Sequence, residues 1–276
     1  VLNNLEFDHA DIYKDLDAIL WQFHQLLRTV PASGRIVANG SDTNVGRAIE
    51  QGCWTPVETF GLGDEYDWQA EFADAGERHI RLGQRGVAGS EALWSLSGGH
   101  NLENALAAVA AAQSAGVSVD RAVDALSRFE GVKRRLERTA TVADIAIYDD
   151  FAHHPTAIRR TIAGLRKRHP NRRLVVALEP RSNTMKMGVH NDTLAAALDG
   201  ADVVAVFRPA DFDSAFDKSL ESLSGRLSLH AEYDELVSTL AGKLGAGDLM
   251  VFMSNGGFGA ARQKLTMTLQ QKSAAG

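Results

Sequence analysis

Cysteine occurs once in the 276 residues, at Cys53, which excludes an internal disulfide and any zinc site built from several thiolates. A lone thiol of this kind ordinarily serves packing, and Cys53 is given no role. No apolar run approaches the roughly 20 residues that a bilayer span requires. The first residues also lack the basic, then apolar, then small-residue order of a signal peptide. These two absences give the expectation of a cytoplasmic protein without a membrane partner. An excess of positive charge is missing too: the formal net charge is -6, which argues against a nucleic-acid-binding surface. The one dense basic stretch, residues 159–173, reads as the solvated face of a helix and its exit. Repeats and low-complexity segments are also lacking, apart from a polar tail over residues 270–276.

What is present is an ordinary globular composition, 45% hydrophobic and 23% charged, with enough length for two domains of roughly 100 to 150 residues. Short apolar runs separated by Gly and Asp turns predict strands over residues 35–38, 57–60, 68–72 and 79–82 and a helix over 44–51. A strand-like start at residues 1–5 runs straight into polar residues, with nothing before it to pair with. Helical spacing then predicts helices over 100–115 and 119–129. Beyond Gly131 the texture becomes regular strand and helix alternation, with strands at 145–148, 174–178, 203–207, 226–229 and 249–253. Helices are expected after Pro155 and over 192–198, 214–223, 233–244 and 258–271. Such alternation predicts an α/β fold with a mostly parallel sheet covered by helices, and a domain boundary near Gly131.

Three polar clusters carry candidate chemistry. Glu6, Asp8, His9 and Asp11 end the first strand, where oxygen and imidazole ligands suit magnesium if phosphate oxygens complete the shell. A solvated turn with a helix cap at Asp11 accounts for the same residues. Ser97-Gly98-Gly99-His100-Asn101-Leu102-Glu103-Asn104 is a glycine turn opening a helix. Asn101 and Asn104 share one face there, and amides can hydrogen-bond a purine edge. Polar first-turn residues behind an N-cap fit equally well. The third cluster runs from Gly131-Val132-Lys133-Arg134-Arg135-Leu136-Glu137 to Asp150-Phe151-Ala152-His153-His154-Pro155. Arginine matches phosphate through a planar fork of donors, and a carboxylate at a strand's end matches ribose hydroxyls. A plain strand-to-helix turn with Pro at the first helical position matches too.

Taken in this order, the clusters resemble the Mur ligase family of ATP-dependent amide ligases. The matching elements are Asp8-His9-Ala10-Asp11, Gly98 through Asn104, Arg135-Leu136-Glu137 and Asp150 through Pro155. The resemblance implies the later part of a central ATP-binding domain over residues 1–131, then a Rossmann-like, peptide-binding C-terminal domain over 132–276. It implies ATP and Mg2+ as cofactors, an acyl phosphate made on a sugar's lactyl carboxylate, and displacement of that phosphate by a peptide amine. Carried over by position, His9 holds magnesium, Asn101 and Asn104 hold adenine, Arg135 faces the phosphates, Asp150 grips ribose and His153 lies near the nucleotide. Arg135 and His9 are thereby the expected catalytic groups.

Two further segments, Leu178-Glu179-Pro180-Arg181-Ser182-Asn183-Thr184-Met185-Lys186-Met187-Gly188 and Met253-Ser254-Asn255-Gly256-Gly257-Phe258-Gly259, resemble the branch of that family that uses a cell-wall peptide. The implied partners are UDP-N-acetylmuramate and the murein tripeptide L-alanyl-γ-D-glutamyl-meso-diaminopimelate. Arg181, Ser182, Asn183, Ser254, Asn255 and Gly256 are the expected peptide contacts. Arg181 suits a carboxylate, and the amides of residues 254–257 suit an anion at a helix start.

The family branch that adds a single L-alanine is the alternative, and only these two segments separate them. A dinucleotide oxidoreductase would need its glycine fingerprint after a first strand, whereas Asn255-Gly256-Gly257-Phe258-Gly259 follows the last predicted strand. A non-catalytic binding module is a third class. Two features depart from the family pattern. The Gly-x-x-Gly-Lys-Ser/Thr loop that cradles ATP phosphates is absent from these residues, so the 276 residues by themselves are expected to bind ATP weakly and to turn nothing over. His24 stands near the position where some relatives carry a carbamylated lysine.

Overall fold

The alternation of apolar side chains along each strand decides which layer every element joins. In Leu174–Leu178 (β8), for example, Leu174, Val176 and Leu178 enter one core while Val175 and Ala177 enter the other. A strand buried on both faces needs helices on both sides, and the chain supplies them. The protein is described here by a computed structural model covering residues 1–96 and 98–275. Ser97, at the head of the glycine turn singled out above, lies outside the described residues. The chain divides into two units, Val1–Glu130 and Gly131–Gly276.

In the first unit, Leu16–Thr29 (α1), Ile36–Asn39 (β1), Thr43–Glu50 (α2), Val57–Gly61 (β2), Trp68–Phe72 (β3), His79–Gln84 (β4), Ser90–Leu93 (β5), Gly99–Ser114 (α3) and Val119–Leu126 (α4) follow one another. The sheet order is β1-β2-β3-β4-β5; β1-β2 and β2-β3 are parallel, and the last two pairings are antiparallel. Ile36 and Ala38 face a core built with α1 and α2. Val37, on the opposite face, joins Phe60, Trp68 and the apolar side of α3.

Two expectations change here. The strand expected at residues 1–5 is reduced to one bridge, in which Leu2 pairs in parallel with Ala38 through Leu2 N to Val37 O (2.8 Å) and Asn39 N to Leu2 O (2.8 Å). The cap read at Asp11 belongs instead to Asp15, whose carboxylate accepts from Ala18 N at 2.8 Å and opens α1. Residues 16–29 were expected to form no element, yet Leu16, Leu20, Phe23 and Leu27 recur at helical spacing and pack into one core.

The second unit comprises Glu137–Val142 (β6), Ile145–Asp150 (β7), Pro155–Arg168 (α5), β8, Asn183–Lys186 (α6), Asn191–Leu198 (α7), Val203–Phe207 (β9), Ser214–Ser219 (α8), Leu227–His230 (β10), Tyr233–Lys243 (α9), Leu249–Met253 (β11) and Ala261–Ala275 (α10). Its sheet order is β10-β9-β8-β11-β7-β6, parallel throughout except for β6 against β7. The mostly parallel α/β sheet expected from the alternation is therefore present, with one antiparallel edge strand that the sequence reading did not include. Ala143 and Asp144 join β6 to β7 with φ of 48° and 60°, the paired left-handed values of a two-residue hairpin turn. The residues read as a polar tail are helical through Ala275: Leu269 is buried, and Lys272 Nζ donates to Ala241 O at 2.8 Å.

Candidate functional site

Neighbouring parallel strands end at one edge of a sheet, and open α/β sheets bind ligands beyond that edge. In the second unit β8, β11 and β7 are adjacent, so Glu179, Ser254 and Asp150 arrive side by side. Glu179 is 2% exposed, and burying a carboxylate is costly unless donors surround it. Three do: Tyr233 Oη reaches Oε1 at 2.5 Å, while Ser254 Oγ and Phe258 N (3.2 Å) reach Oε2. Burial first, and then this bond to Glu179, push the Tyr233 phenol far above its ordinary pKa. Tyr233 is therefore a donor throughout the working range.

Ser254 Oγ also accepts from Gly256 N at 2.8 Å. The amides of Gly256 and Phe258 are thus already engaged, one by the serine and one by a carboxylate. This corrects the anion site expected over residues 254–257: a buried negative group occupies the place where an anion would be drawn. Just beyond, Phe258, Gly259 and Ala260 have φ of 51°, 53° and 59°, a single left-handed turn. Such a conformation costs roughly 1–2 kcal/mol for each residue bearing a Cβ. A Cβ at Gly259 would stand 2.4 Å from the Tyr233 ring, and that ring is stacked on Phe207 with centroids 4.0 Å apart.

The two segments singled out for a peptide do meet. A Cβ on Gly256 would lie 2.6 Å from Arg181 Cδ and 2.7 Å from Nη1, so the arginine side chain lies directly against this glycine. Arg181 and Asn183 are exposed, and Asn255 is half-buried. Asn255 Oδ1 itself is buried and accepts no hydrogen bond among the described residues. The serines are used otherwise than expected. Ser182 Oγ caps α6 by accepting from Met185 N at 3.3 Å, and the Ser254 hydroxyl is given to Glu179. What remains open toward a ligand is the exposed Arg181 fork, beside a loop whose Asn255 carries a buried amide oxygen without a hydrogen bond among the described residues.

On the far side of β11, Arg134 closes the arrangement. Its Nη2 donates to Ser254 O (2.7 Å) and to Gly256 O, and its Nε lies 3.6 Å from Asp149. Arg134 and Arg135 flank the Phe151 ring, their guanidinium carbons 5.2 and 5.1 Å from its centroid, a cation–π arrangement. Arg135 is exposed. Asp150 is not: it is 5% exposed, and its two oxygens accept from Leu136 N and Ala152 N, each at 2.7 Å. Burial raises its pKa despite these bonds. Asp150 ties the segment before β6 to the turn after β7, and the ribose role expected of it is not one this geometry carries. His153 is half-buried, with Nδ1 3.0 Å from Phe151 O and its ring edge-on to Phe151 at 5.4 Å.

In the first unit the candidate residues are looser. His9 is exposed at φ 55°, its N–H bonded to Asp8 Oδ1 at 2.8 Å. Among the described residues no three His, Cys, Asp or Glu side chains converge to hold a metal ion. The reading of Glu6, Asp8, His9 and Asp11 as one ligand cluster is therefore corrected: successive residues on a tight turn point apart. Magnesium prefers about six oxygen donors, so this donor set does not fit it, and no chemical step is derived through the metal. His24 faces the end of α2, its Cε1 3.5 Å from where a Cβ on Gly52 would stand.

Asn101 and Asn104 lie in the first two turns of α3. Asn104 Oδ1 already accepts from Asn3 Nδ2 at 3.0 Å. The turn ahead of α3 is held by Glu77, which is 2% exposed and accepts from Gly98 N at 2.9 Å. Glu77 and Tyr233 gave no signal as site residues in the sequence. Glu179 and Arg134 lay inside segments singled out there but were assigned no role of their own, although Glu179 is an acid placed directly after a wholly apolar strand.

A parallel edge that gathers arginine side chains at neighbouring strand ends is the ligand-binding arrangement of an open α/β protein. The comparisons make the class specific. The family model of the Mur ligase middle domain matches residues 1–112, and that of the Mur ligase glutamate ligase domain matches residues 134–256. The chain belongs to the Mur ligase family. It is 42% identical over 278 positions to the UDP-N-acetylmuramate–L-alanyl-γ-D-glutamyl-meso-2,6-diaminoheptandioate ligase of Escherichia coli strain K12, covering 100% of this chain and 60% of that protein. It is 33% identical to a UDP-N-acetylmuramate–L-alanine ligase of Desulfitobacterium hafniense, covering 93% and 59%. The crystal structure of a murein peptide ligase from Psychrobacter arcticus superposes with a TM-score of 0.73 at 38% identity, covering 98% of this chain and 57% of that one. The chain thus spans about 60% of the length of the curated relatives it matches.

Proposed function

We propose that the whole protein is an ATP-dependent amide ligase of peptidoglycan recycling. Its substrates are UDP-N-acetylmuramate and the tripeptide L-alanyl-γ-D-glutamyl-meso-diaminopimelate, joined through an acyl phosphate. The unit Gly131–Gly276 holds the peptide. The observation that carries this reading is the seating of the exposed Arg181 against Gly256, which places a cationic fork where the loops after β8 and β11 meet. A peptide carboxylate matches that fork. Asn183, exposed at the start of α6, lines the same edge.

The other assignments follow the family positions. Arg135, exposed and backed by Phe151, neutralises phosphate charge, and His153 lies beside the nucleotide. In the first unit Asn101 and the free amide donor of Asn104 address adenine. Positioning and charge neutralisation are the catalytic contributions such groups make. The L-alanine branch of the family has a smaller amine substrate with no distal carboxylate for an arginine to select. Here the higher identity to the tripeptide ligase and the Arg181 seating support the peptide reading.

The test is Arg181→Ala in the full-length protein. Losing a charged hydrogen-bonding partner costs about 1.5 to 3 kcal/mol, so kcat/KM for the tripeptide should fall roughly ten- to two-hundred-fold, with KM for ATP and the UDP-sugar unchanged. Loss of ATP affinity with intact peptide use would assign Arg181 to the nucleotide and overturn the reading.

A further inference from the structure

We infer that Glu179 is a positioning residue of the peptide site, holding the left-handed turn after β11 in the one conformation that presents Asn255 and Gly256 to the ligand. The inference rests on the peptide reading above and adds a residue that touches no substrate. Three donors from three elements meet on this one carboxylate: Tyr233 from α9, Ser254 from the end of β11 and Phe258 from the turn itself. Glu179 makes no ion pair among the described residues, so its interior position depends on those donors alone.

The turn needs such a partner. Two of its three residues, Phe258 and Ala260, carry side chains at positive φ, and a strained backbone persists only where its surroundings over-determine it. Phe258 is fixed from both sides, its ring edge-on to Phe252 at 5.2 Å and its amide on Glu179 at 3.2 Å. The effect then passes back along the chain. Ser254 Oγ, oriented by Glu179, accepts from Gly256 N and so closes the loop over residues 254–256. Arg134 grips the carbonyls of the same loop from the opposite side. Between these two holds, the Gly256 backbone turns its bare face to Arg181. Because Pro180 alone separates Glu179 from Arg181, one short segment supplies both the cation that meets the peptide and the anion that shapes the opposing wall.

Glu179→Gln is the probe because it is isosteric and leaves a definite deficit. The Phe258 amide can only donate, so the glutamine oxygen must face it and Ser254. Its NH2 then faces Tyr233, whose hydroxyl must turn round to accept. The wall loosens without a cavity. In the full-length protein, KM for the tripeptide should rise roughly tenfold while KM for ATP and the UDP-sugar stays within about twofold and kcat falls less than KM rises. Tyr233→Phe, which keeps the stack on Phe207, should give the same split at smaller size. It also serves as the reporter should the glutamine variant fail to fold.

Arg181→Ala is measured alongside. If it raises the peptide KM and both Glu179→Gln and Tyr233→Phe leave it unchanged, the positioning role is wrong and the peptide reading stands. If Arg181→Ala leaves peptide use intact, the peptide reading itself is wrong. Parallel increases in all three KM values for the Glu179 variant would mark it as merely structural and overturn the inference.

Discussion

In the second unit the loops leaving β7, β8 and β11 are wired to one another through Glu179, Arg134 and Asp150, whereas in the first unit the polar segment of residues 6–11 sits on a partly exposed turn whose side chains do not converge. In sequence the order of apparent strength is reversed. Four possible ligands within six residues look like a site, and an isolated glutamate after an apolar strand does not. The difference is geometric. Residues adjacent on a tight turn diverge, while residues at the ends of adjacent parallel strands converge however far apart they are in the chain. The contrast can be broken by mutations that ought to be severe in one region and mild in the other.

The largest effect is expected at Gly259. An alanine there would press a methyl to 2.4 Å from a tyrosine ring already stacked on Phe207 and bonded to Glu179, at a positive φ. Overpacking of this kind costs about 3 kcal/mol, and urea unfolding of the second unit should register it. The matching change in the first unit, Gly46→Ala in α2, meets nothing within 4 Å. It should be neutral or stabilising by about 0.5–1 kcal/mol, because glycine loses more freedom in a helix. Equal losses at the two sites would erase the distinction between a wired and a loose region.

Arg134→Met should rank next. It keeps the aliphatic stem beside Phe151 but leaves Ser254 O and Gly256 O without their charged donor, at a cost of roughly 2–3 kcal/mol. His9→Ala, by contrast, removes an exposed ring from a turn and should stay within about 0.5 kcal/mol of wild type. Millimolar magnesium should leave the melting temperature of the 276-residue chain unchanged in both proteins. A magnesium-dependent rise lost in His9→Ala would show that the first unit gathers a site the described side chains do not form.

How much of this was readable beforehand follows the same line. Strands with two buried faces announced themselves as continuous apolar runs, so β8, β9 and β11 and the parallel sheet were legible. The helix α1 was also written at helical spacing, but its opening lay inside a polar cluster that drew attention to ligands instead. β6 was hidden because an edge strand reading Glu-Arg-Thr-Ala-Thr-Val alternates only weakly. At the site, Arg181 and residues 254–256 were recognisable as a pair of loops at neighbouring strand ends. Their internal bonding was not, since which of Arg134 and Arg135 turns inward depends on a positive φ at Arg134. Tyr233 enters from a helix start in another part of the chain, and nothing local distinguishes it.

The smallest expected effect concerns Asp150, and it sharpens the contrast by comparison with a first-unit carboxylate, Asp67. Asp67 is held below its ordinary pKa, chiefly by the Thr59 amide. Asp150, although two amides bind it, is raised because burial outweighs them. The signs of their linkage to folding are therefore opposite. For Asp67 the unfolded chain takes up its proton first as pH falls, so the stability it contributes near neutrality is lost on acidification through the folded pKa. For Asp150 the folded chain protonates first. Its charged form weighs against folding at neutral pH, and that penalty is relieved as pH falls through its raised folded pKa toward the ordinary carboxylate range. Each unit of separation is worth about 1.4 kcal/mol at most, and Asp67, being partly exposed, should deliver less. Carbon-detected NMR titration of the side-chain carboxyls should place the Asp150 midpoint above, and the Asp67 midpoint below, the range of exposed aspartates. An Asp150 midpoint below that range would mean that the amides of Leu136 and Ala152 outweigh burial. Asp150 would then favour folding as an anion and lose that contribution in acid.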